Sequence, residues 1–349
     1  MDKCNASTLQ TAFINMQQSP YLGIIEGFYG RSWSFAERMG YTQFLKEQGY
    51  HFYIYAPKSD PYLRKSWQSD WPEEIFTELK KLVQHYQNLG VDFGIGLSPF
   101  ELYKDYNQLA KKKLQNKIER LNDLGVDILC LLFDDMQGDL PALVETQVAI
   151  TEDVLAQTTA KKVIMCPTYY SFTPLLEKLF GTMPKNYWQD LGKALPEEVD
   201  IFWTGEDICS SSYTESHIEE VIALFGRKPF LWDNYPVNDG ATISKHLHLK
   251  AFENRPAVLS ELTTGHAANP MNQPWLSRIP LYSLPQSYSL SDDYNSHLVL
   301  KQAVHHLCGE DFSKQLLMDI ETFDTQGLDN ISPNEAKRLI EKYASFTDR

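Results

Sequence analysis

With 349 residues, 43% of them hydrophobic and 22% charged, the chain has the composition of a folded protein with a substantial buried core, which excludes disorder and fits one large domain. A formal net charge of −14 excludes nucleic acid as a natural partner, because phosphate binding needs clustered Lys and Arg. No apolar run approaches the length of about 18 residues needed to cross a membrane, and the N-terminus carries no leader signature.

The five cysteines, Cys4, Cys130, Cys166, Cys209 and Cys308, are odd in number and widely spaced, with no CxxC pair. They predict neither a disulfide framework nor a zinc knuckle, so a reducing, cytoplasmic setting is expected. The aromatic share of 13% is high; it suits sugar faces and core packing equally, so by itself it selects neither.

In chain order, short β-branched or aromatic runs alternate with longer stretches of helical periodicity, the pattern of repeated βα units. The runs are YLGIIEG from Tyr21, HFYIYAP from His51, VDFGIGLSP from Val91, DILCLLFDD from Asp127, KVIMCPT from Lys162, DIFWTG from Asp200, KPFLWDN from Lys228 and TTGHAANP from Thr263. They number eight, which predicts an α/β fold, a (β/α)8 TIM barrel. The last run is the poorest in apolar residues. Between the runs, Ser34 followed by Glu37 forms a capping-box pattern, and Pro72 ahead of Glu73 and Glu74 opens a second helix.

After about Ser289 only helical patterns remain: Asp292 to Cys308, Phe312 to Phe323, and a stretch opened by Ser332, Pro333, Asn334 and Glu335. The expected organisation is a lead segment over 1–20, the barrel over 21–288 and a small helical C-terminal extension over 289–349.

Active sites of such barrels lie where the strands end. Those ends carry Glu26 and Gly27, Lys58, Ser98, Asp134 and Asp135, Thr168 and Tyr170, Thr204, Asp233 and Asn234, and Asn269. Asp134 and Asp135 emerge from a buried apolar strand, so mutual repulsion should raise one pKa while the other stays low, giving an acid beside an anion. Taken alone, the pair reads sooner as a helix cap beside a solvated carboxylate. Lys58 reads as a sugar-hydroxyl donor or as an ion-paired loop lysine. Tyr29, Tyr170, Trp203 and Trp232 read one by one as core aromatics, and Gly27 and Gly30 as turn glycines or points of close ligand approach. His246 with His248, and His305 with His306, are read as structural and not as metal ligands.

The motifs GIIEGFYGRSW at Gly23, YAPKSDPY at Tyr55, LLFDD at Leu131, CPTYY at Cys166, FWTG at Phe202, WDNYPVND at Trp232 and HAANPMNQ at His266 resemble, in order and spacing, the O-GlcNAcase and hyaluronidase-like β-N-acetylglucosaminidases, glycoside hydrolase family 84. The resemblance implies a retaining exo-β-N-acetylglucosaminidase. It implies that Asp134 orients the substrate acetamido group while Asp135 serves as general acid and then base. By the same resemblance Gly27, Lys58, Asp239 and Asn269 hold sugar hydroxyls, and Tyr170, Trp232 and Asn234 surround the acetamido group. Neither a metal nor an organic cofactor is required by that chemistry. The implied partner is an N-acetylglucosamine-bearing glycoprotein, glycopeptide or oligosaccharide.

Ser32 departs from the family, many members of which have Pro after GFYGR. The length also leaves no room for the extra N-terminal α/β domain or long C-terminal modules that family members often carry. Two alternatives stay open on sequence: a sugar-binding barrel without turnover, and an endo-acting hydrolase of N-acetylglucosamine polymers.

Overall fold

The computed structural model of the chain describes residues 20–346; Cys4 and nearly all of the expected lead segment lie outside the described residues. The eight strands are β1 (Leu22–Glu26), β2 (Phe52–Tyr55), β3 (Asp92–Leu97), β4 (Ile128–Leu132), β5 (Lys162–Cys166), β6 (Val199–Trp203), β7 (Phe230–Asp233) and β8 (Gly265–Ala268). All are parallel and close in sequence order into one barrel, with β1 paired to β2 (Gly23 opposite Phe52) and to β8 (Leu22 opposite His266). Each strand falls within its expected run, except that β6 starts one residue early, at Val199.

The apolar-poor run also forms its strand, for a steric reason. A Cβ on Gly265 would lie 2.4 Å from the Phe230 ring, so the small residues of β8 make room for large neighbours.

Helices cover the barrel. Helix Phe35–Glu47 is opened by the expected capping box, in which the Ser34 hydroxyl accepts from the Glu37 amide at 3.2 Å and the Ser34 amide donates to Glu37 Oε2 at 2.6 Å. Pro72 sits at the N-cap of helix Glu73–Asn88. Among the described residues no helix is long and apolar enough to cross a membrane.

The C-terminal helices are Ser296–Cys308, Glu310–Glu321 and Pro333–Ala344. The first begins later than Asp292, which lies in a separate single turn; Asn295 caps the helix instead by accepting from the Leu298 amide at 3.0 Å. A second apolar cluster joins Leu300, Ala303, Val304, Leu316 and Ile320 of these helices to Leu249, Met271 and Ile279 of the barrel. The segment after β7 is tied to the same helices. Asp324 Oδ2 accepts from the amides of Leu249 and Lys250 at 2.8 and 3.2 Å, and its carbonyl bonds the His246 ring at 2.8 Å. His248 faces the Pro236 carbonyl at 3.2 Å. Both histidines of the His-x-His pair are thus engaged with backbone.

Glu26, at the end of β1, is fully buried and turned outward, where Arg38 holds it bidentately at 2.7 and 2.8 Å. Replacing Arg38 by Met leaves that carboxylate uncompensated. We predict a loss of about 3–5 kcal/mol in unfolding free energy by urea titration.

Candidate active site

The apolar residues of β4 stop at Leu132, and the Phe133 amide continues the ladder by donating to the Cys166 carbonyl at 2.9 Å. Along a strand, neighbouring side chains alternate between faces, so two adjacent aspartates should diverge. They do not, because Asp135 adopts a left-handed backbone conformation with φ of 56°. That turn costs on the order of 1–2 kcal/mol for a residue with a Cβ, and it brings both carboxyl groups to one cavity.

The cavity, about 160 Å³, opens where the strands end and is lined by all the residues expected of it: Gly27, Lys58, Asp134, Asp135, Tyr170, Trp232, Asn234, Asp239 and Asn269. Its floor and one wall form a single hydrogen-bonded unit. The Gly27 amide donates to Asn269 Oδ1 at 3.2 Å, and Asn269 Nδ2 donates to Asn234 Oδ1 at 2.9 Å. Trp232 Nε1 donates to the same Asn234 oxygen at 3.0 Å, while Asn234 Nδ2 is held by the Ile208 carbonyl at 2.7 Å. Asp239 closes the opposite lip by accepting from the Tyr29 amide at 2.7 Å.

The two carboxyl groups have different surroundings. Asp134 Oδ2 is ion-paired with Lys58, whereas Asp134 Oδ1 is buried with no hydrogen-bond partner among the described residues. Asp135 accepts from two tyrosines, from Tyr29 at 2.6 Å on Oδ2 and from Tyr170 at 3.1 Å on Oδ1.

Burial pushes the Asp135 pKa up, but Lys58, the Tyr29 hydroxyl, Arg64 and the Tyr170 hydroxyl outweigh it, so its carboxyl is held below the ordinary value. Of the expected pair, Asp135 is thus the carboxyl that stays low, held there by donors and cations not legible in the sequence. The carboxyl that is raised is Asp239, first through burial, with Asp135 adding repulsion against the opposing Tyr29 amide and Lys58.

Several polar strand ends face away from the cavity. Glu26 pairs with Arg38, and Asp233 with Arg255 (2.8 Å on both oxygens) and His266 (3.1 Å). Thr168 bonds Gln147 at 2.9 Å and the Phe133 carbonyl at 3.0 Å. Lying at a rim does not decide which way a side chain points; the pleat does. Of the four aromatics weighed on sequence, Trp203 is core, its ring nitrogen donating to His217 at 3.0 Å, while Tyr29, Tyr170 and Trp232 line the cavity. Tyr29 was not among the expected site residues. Its placement two residues after Gly27 and directly before Gly30, in a turn between two glycines, was the available signal.

A Cβ on Gly27 would fall 2.5 Å from Trp232 Cζ2. Gly27→Ala should therefore displace the Trp232 ring, seen as a change in near-ultraviolet circular dichroism, at a stability cost of about 1–3 kcal/mol.

A family model described as beta-N-acetylglucosaminidase matches residues 22–321. The protein O-GlcNAcases of Rattus norvegicus and Mus musculus are each 27% identical over 257 residues, covering 71% of this chain and 28% of their own. The chain thus spans about 28% of the length of these curated relatives. A solved mutant of the Thermobaculum terrenum O-GlcNAc hydrolase superposes with a TM-score of 0.79 at 33% identity, covering 93% of this chain and 72% of that one. The chain belongs to the β-N-acetylglucosaminidase family, the glycoside hydrolase family 84 that its motifs resemble.

Proposed function

We propose that the protein is a retaining, exo-acting β-N-acetylglucosaminidase that hydrolyses terminal β-linked N-acetylglucosamine using the substrate's own acetamido group as nucleophile. One observation carries the reading. Adjacent carboxylates turn into the same narrow cavity, and Asp134 keeps one buried oxygen without a partner among the described residues. A glycosidase with a protein nucleophile sets two carboxyl groups about 5 Å apart on opposite faces of the sugar, an arrangement that neighbours at one strand end do not suit.

In this reading the acetamido N–H donates to Asp134 Oδ1, which orients the amide and offsets the positive charge growing on its nitrogen. The acetamido oxygen attacks the anomeric carbon as the glycosidic bond breaks, and Asp135 delivers its proton to the leaving oxygen. Water then opens the resulting oxazoline at the anomeric carbon and returns a proton to Asp135, so configuration is retained. Tyr170, Trp232 and Asn234 enclose the acetamido group and hold it in attacking geometry. Gly27, Lys58, Asp239 and Asn269 surround the sugar hydroxyls. The partner is an N-acetylglucosamine-bearing glycoprotein, glycopeptide or oligosaccharide. A cytoplasmic setting belongs to the same proposal, supported by free thiols at Cys130, Cys166, Cys209 and Cys308.

Because Lys58, Tyr29, Arg64 and Tyr170 hold the Asp135 carboxyl below its ordinary value, substrate must raise its pKa on binding by excluding solvent and placing an acceptor, the glycosidic oxygen, against it. The basic limb of kcat should therefore lie at higher pH than that of kcat/KM. Tyr29→Phe removes a donor that stabilises the Asp135 anion, so its pKa rises and the basic limb of kcat/KM should move to higher pH, as pH–rate profiles will show.

Asp134→Asn should lower kcat on an aryl β-N-acetylglucosaminide by about 100- to 1,000-fold. Asp135→Asn should lose about 100- to 10,000-fold on an alkyl leaving group and less on a good aryl one, which needs little protonation. Folded wild-type protein that leaves the aryl substrate intact would sink the proposal.

A further inference from the structure

Both cations that hold Asp135 below the ordinary carboxylate range, Lys58 and Arg64, come from a single loop, the one that follows β2. Lys58 pairs with Asp134 and is 4% exposed at its side chain, while the Arg64 guanidinium reaches the Asp135 carbonyl at 3.4 Å. Coulombic influence falls with distance, so these cations control the aspartates only as well as their loop is fixed. Backbone pins it near its two ends: the Lys58 amide donates to the Phe28 carbonyl at 3.3 Å, and the Ser98 amide to the Leu63 carbonyl at 2.8 Å. Between those points the loop rests on Asp60.

Asp60 is 8% exposed and stands outside the lining of the cavity. Three donors converge on it. The Tyr55 hydroxyl and the Trp71 ring nitrogen each donate to Oδ2 at 2.9 Å, and the Tyr62 amide donates to Oδ1 at 2.9 Å. Pro61, with a fixed φ and no amide to satisfy, opens the single turn Pro61–Leu63 directly after it. Capping that turn takes one carboxylate oxygen; the other ties the loop to the end of β2 and to Trp71 beyond it. Behind Trp71 lies the buried Lys117, its ammonium 3.9 Å from a ring centroid of the indole and 3.1 Å from the Ser69 carbonyl. A buried carboxylate is costly unless its oxygens are filled, and filling them from three directions fixes where it sits.

The geometry points to Asp60 as a positioning residue that acts through Lys58: from outside the cavity it holds the loop in the one place where the Lys58 ammonium meets Asp134 and Asp135. The inference rests on the function proposed above.

The test records pH–rate profiles of wild type, Asp60→Asn, Lys58→Met and the double variant on an aryl β-N-acetylglucosaminide. Asparagine cannot serve all three donors, because one of its two polar ends is itself a donor. With the loop loosened, Asp135 loses the strongest of the groups that lower its pKa, which is Lys58. Asp135 must carry a proton to act as the acid, and activity is lost as pH rises through its pKa. The basic limb of kcat/KM should therefore move to higher pH, and kcat/KM at the optimum should fall about 10- to 100-fold. In the Lys58→Met background the same substitution should cost no more than about twofold, since the group it acts through is gone. Trp71→Phe removes one donor from Oδ2 and keeps an aromatic ring over Lys117. It should move the limb in the same direction by a smaller amount, and it carries the test if Asp60→Asn does not fold.

A basic limb that stays in place overturns the assignment. So do losses for Asp60→Asn and Lys58→Met that multiply in the double variant, which would mark Asp60 as a support of the fold and nothing more. Wild type that leaves the aryl substrate intact overturns the proposed function itself; turnover by wild type with either of the first two results overturns only the role of Asp60.

Discussion

In a closed parallel barrel every strand has an inner and an outer face, and the residues at its end must divide between them. Here two buried ion pairs on the outer side enforce that division. Glu26 is held by Arg38 behind β1, and Asp233 by Arg255 and His266 behind β7. With those carboxylates fixed outward, their chain neighbours Gly27, Trp232 and Asn234 are presented to the cavity. Burying such charges is costly unless each is fully paired, so the pairs act less as a source of stability than as a lock on orientation.

Asp134 and Asp135 escape the alternation. The left-handed conformation at Asp135 stores backbone strain so that both neighbours reach the same space, and their surroundings then separate them: a lysine and an unpartnered oxygen for one, two tyrosine donors for the other. The helical extension contributes from a distance. Through Asp324 and the second apolar cluster it braces the segment after β7, which carries Asp239 to the lip of the cavity.

Much of this was legible in the sequence. Seven of the eight strands follow from apolar runs that suit a buried parallel sheet, the eighth from its place in the repeat, and the residues of the cavity follow from their motifs. The facing of Glu26 and Asp233 was not legible, because their partners Arg38 and Arg255 lie 12 and 22 residues away on other elements. Nor was the lowered pKa of Asp135, which depends on Lys58, Tyr29, Arg64 and Tyr170 converging from three separate loops. Trp203 and Trp232 illustrate the same limit: both end strands, yet one packs in the core and the other lines the site.

By itself the sequence determined the barrel, its order and the identity of the candidate site, since periodicity and motif spacing are local properties of the chain. Tertiary structure alone decided which rim residues face inward and how the two aspartates differ. The reason is that a side chain's facing and a carboxylate's charge state are set by atoms brought close in space from distant parts of the chain.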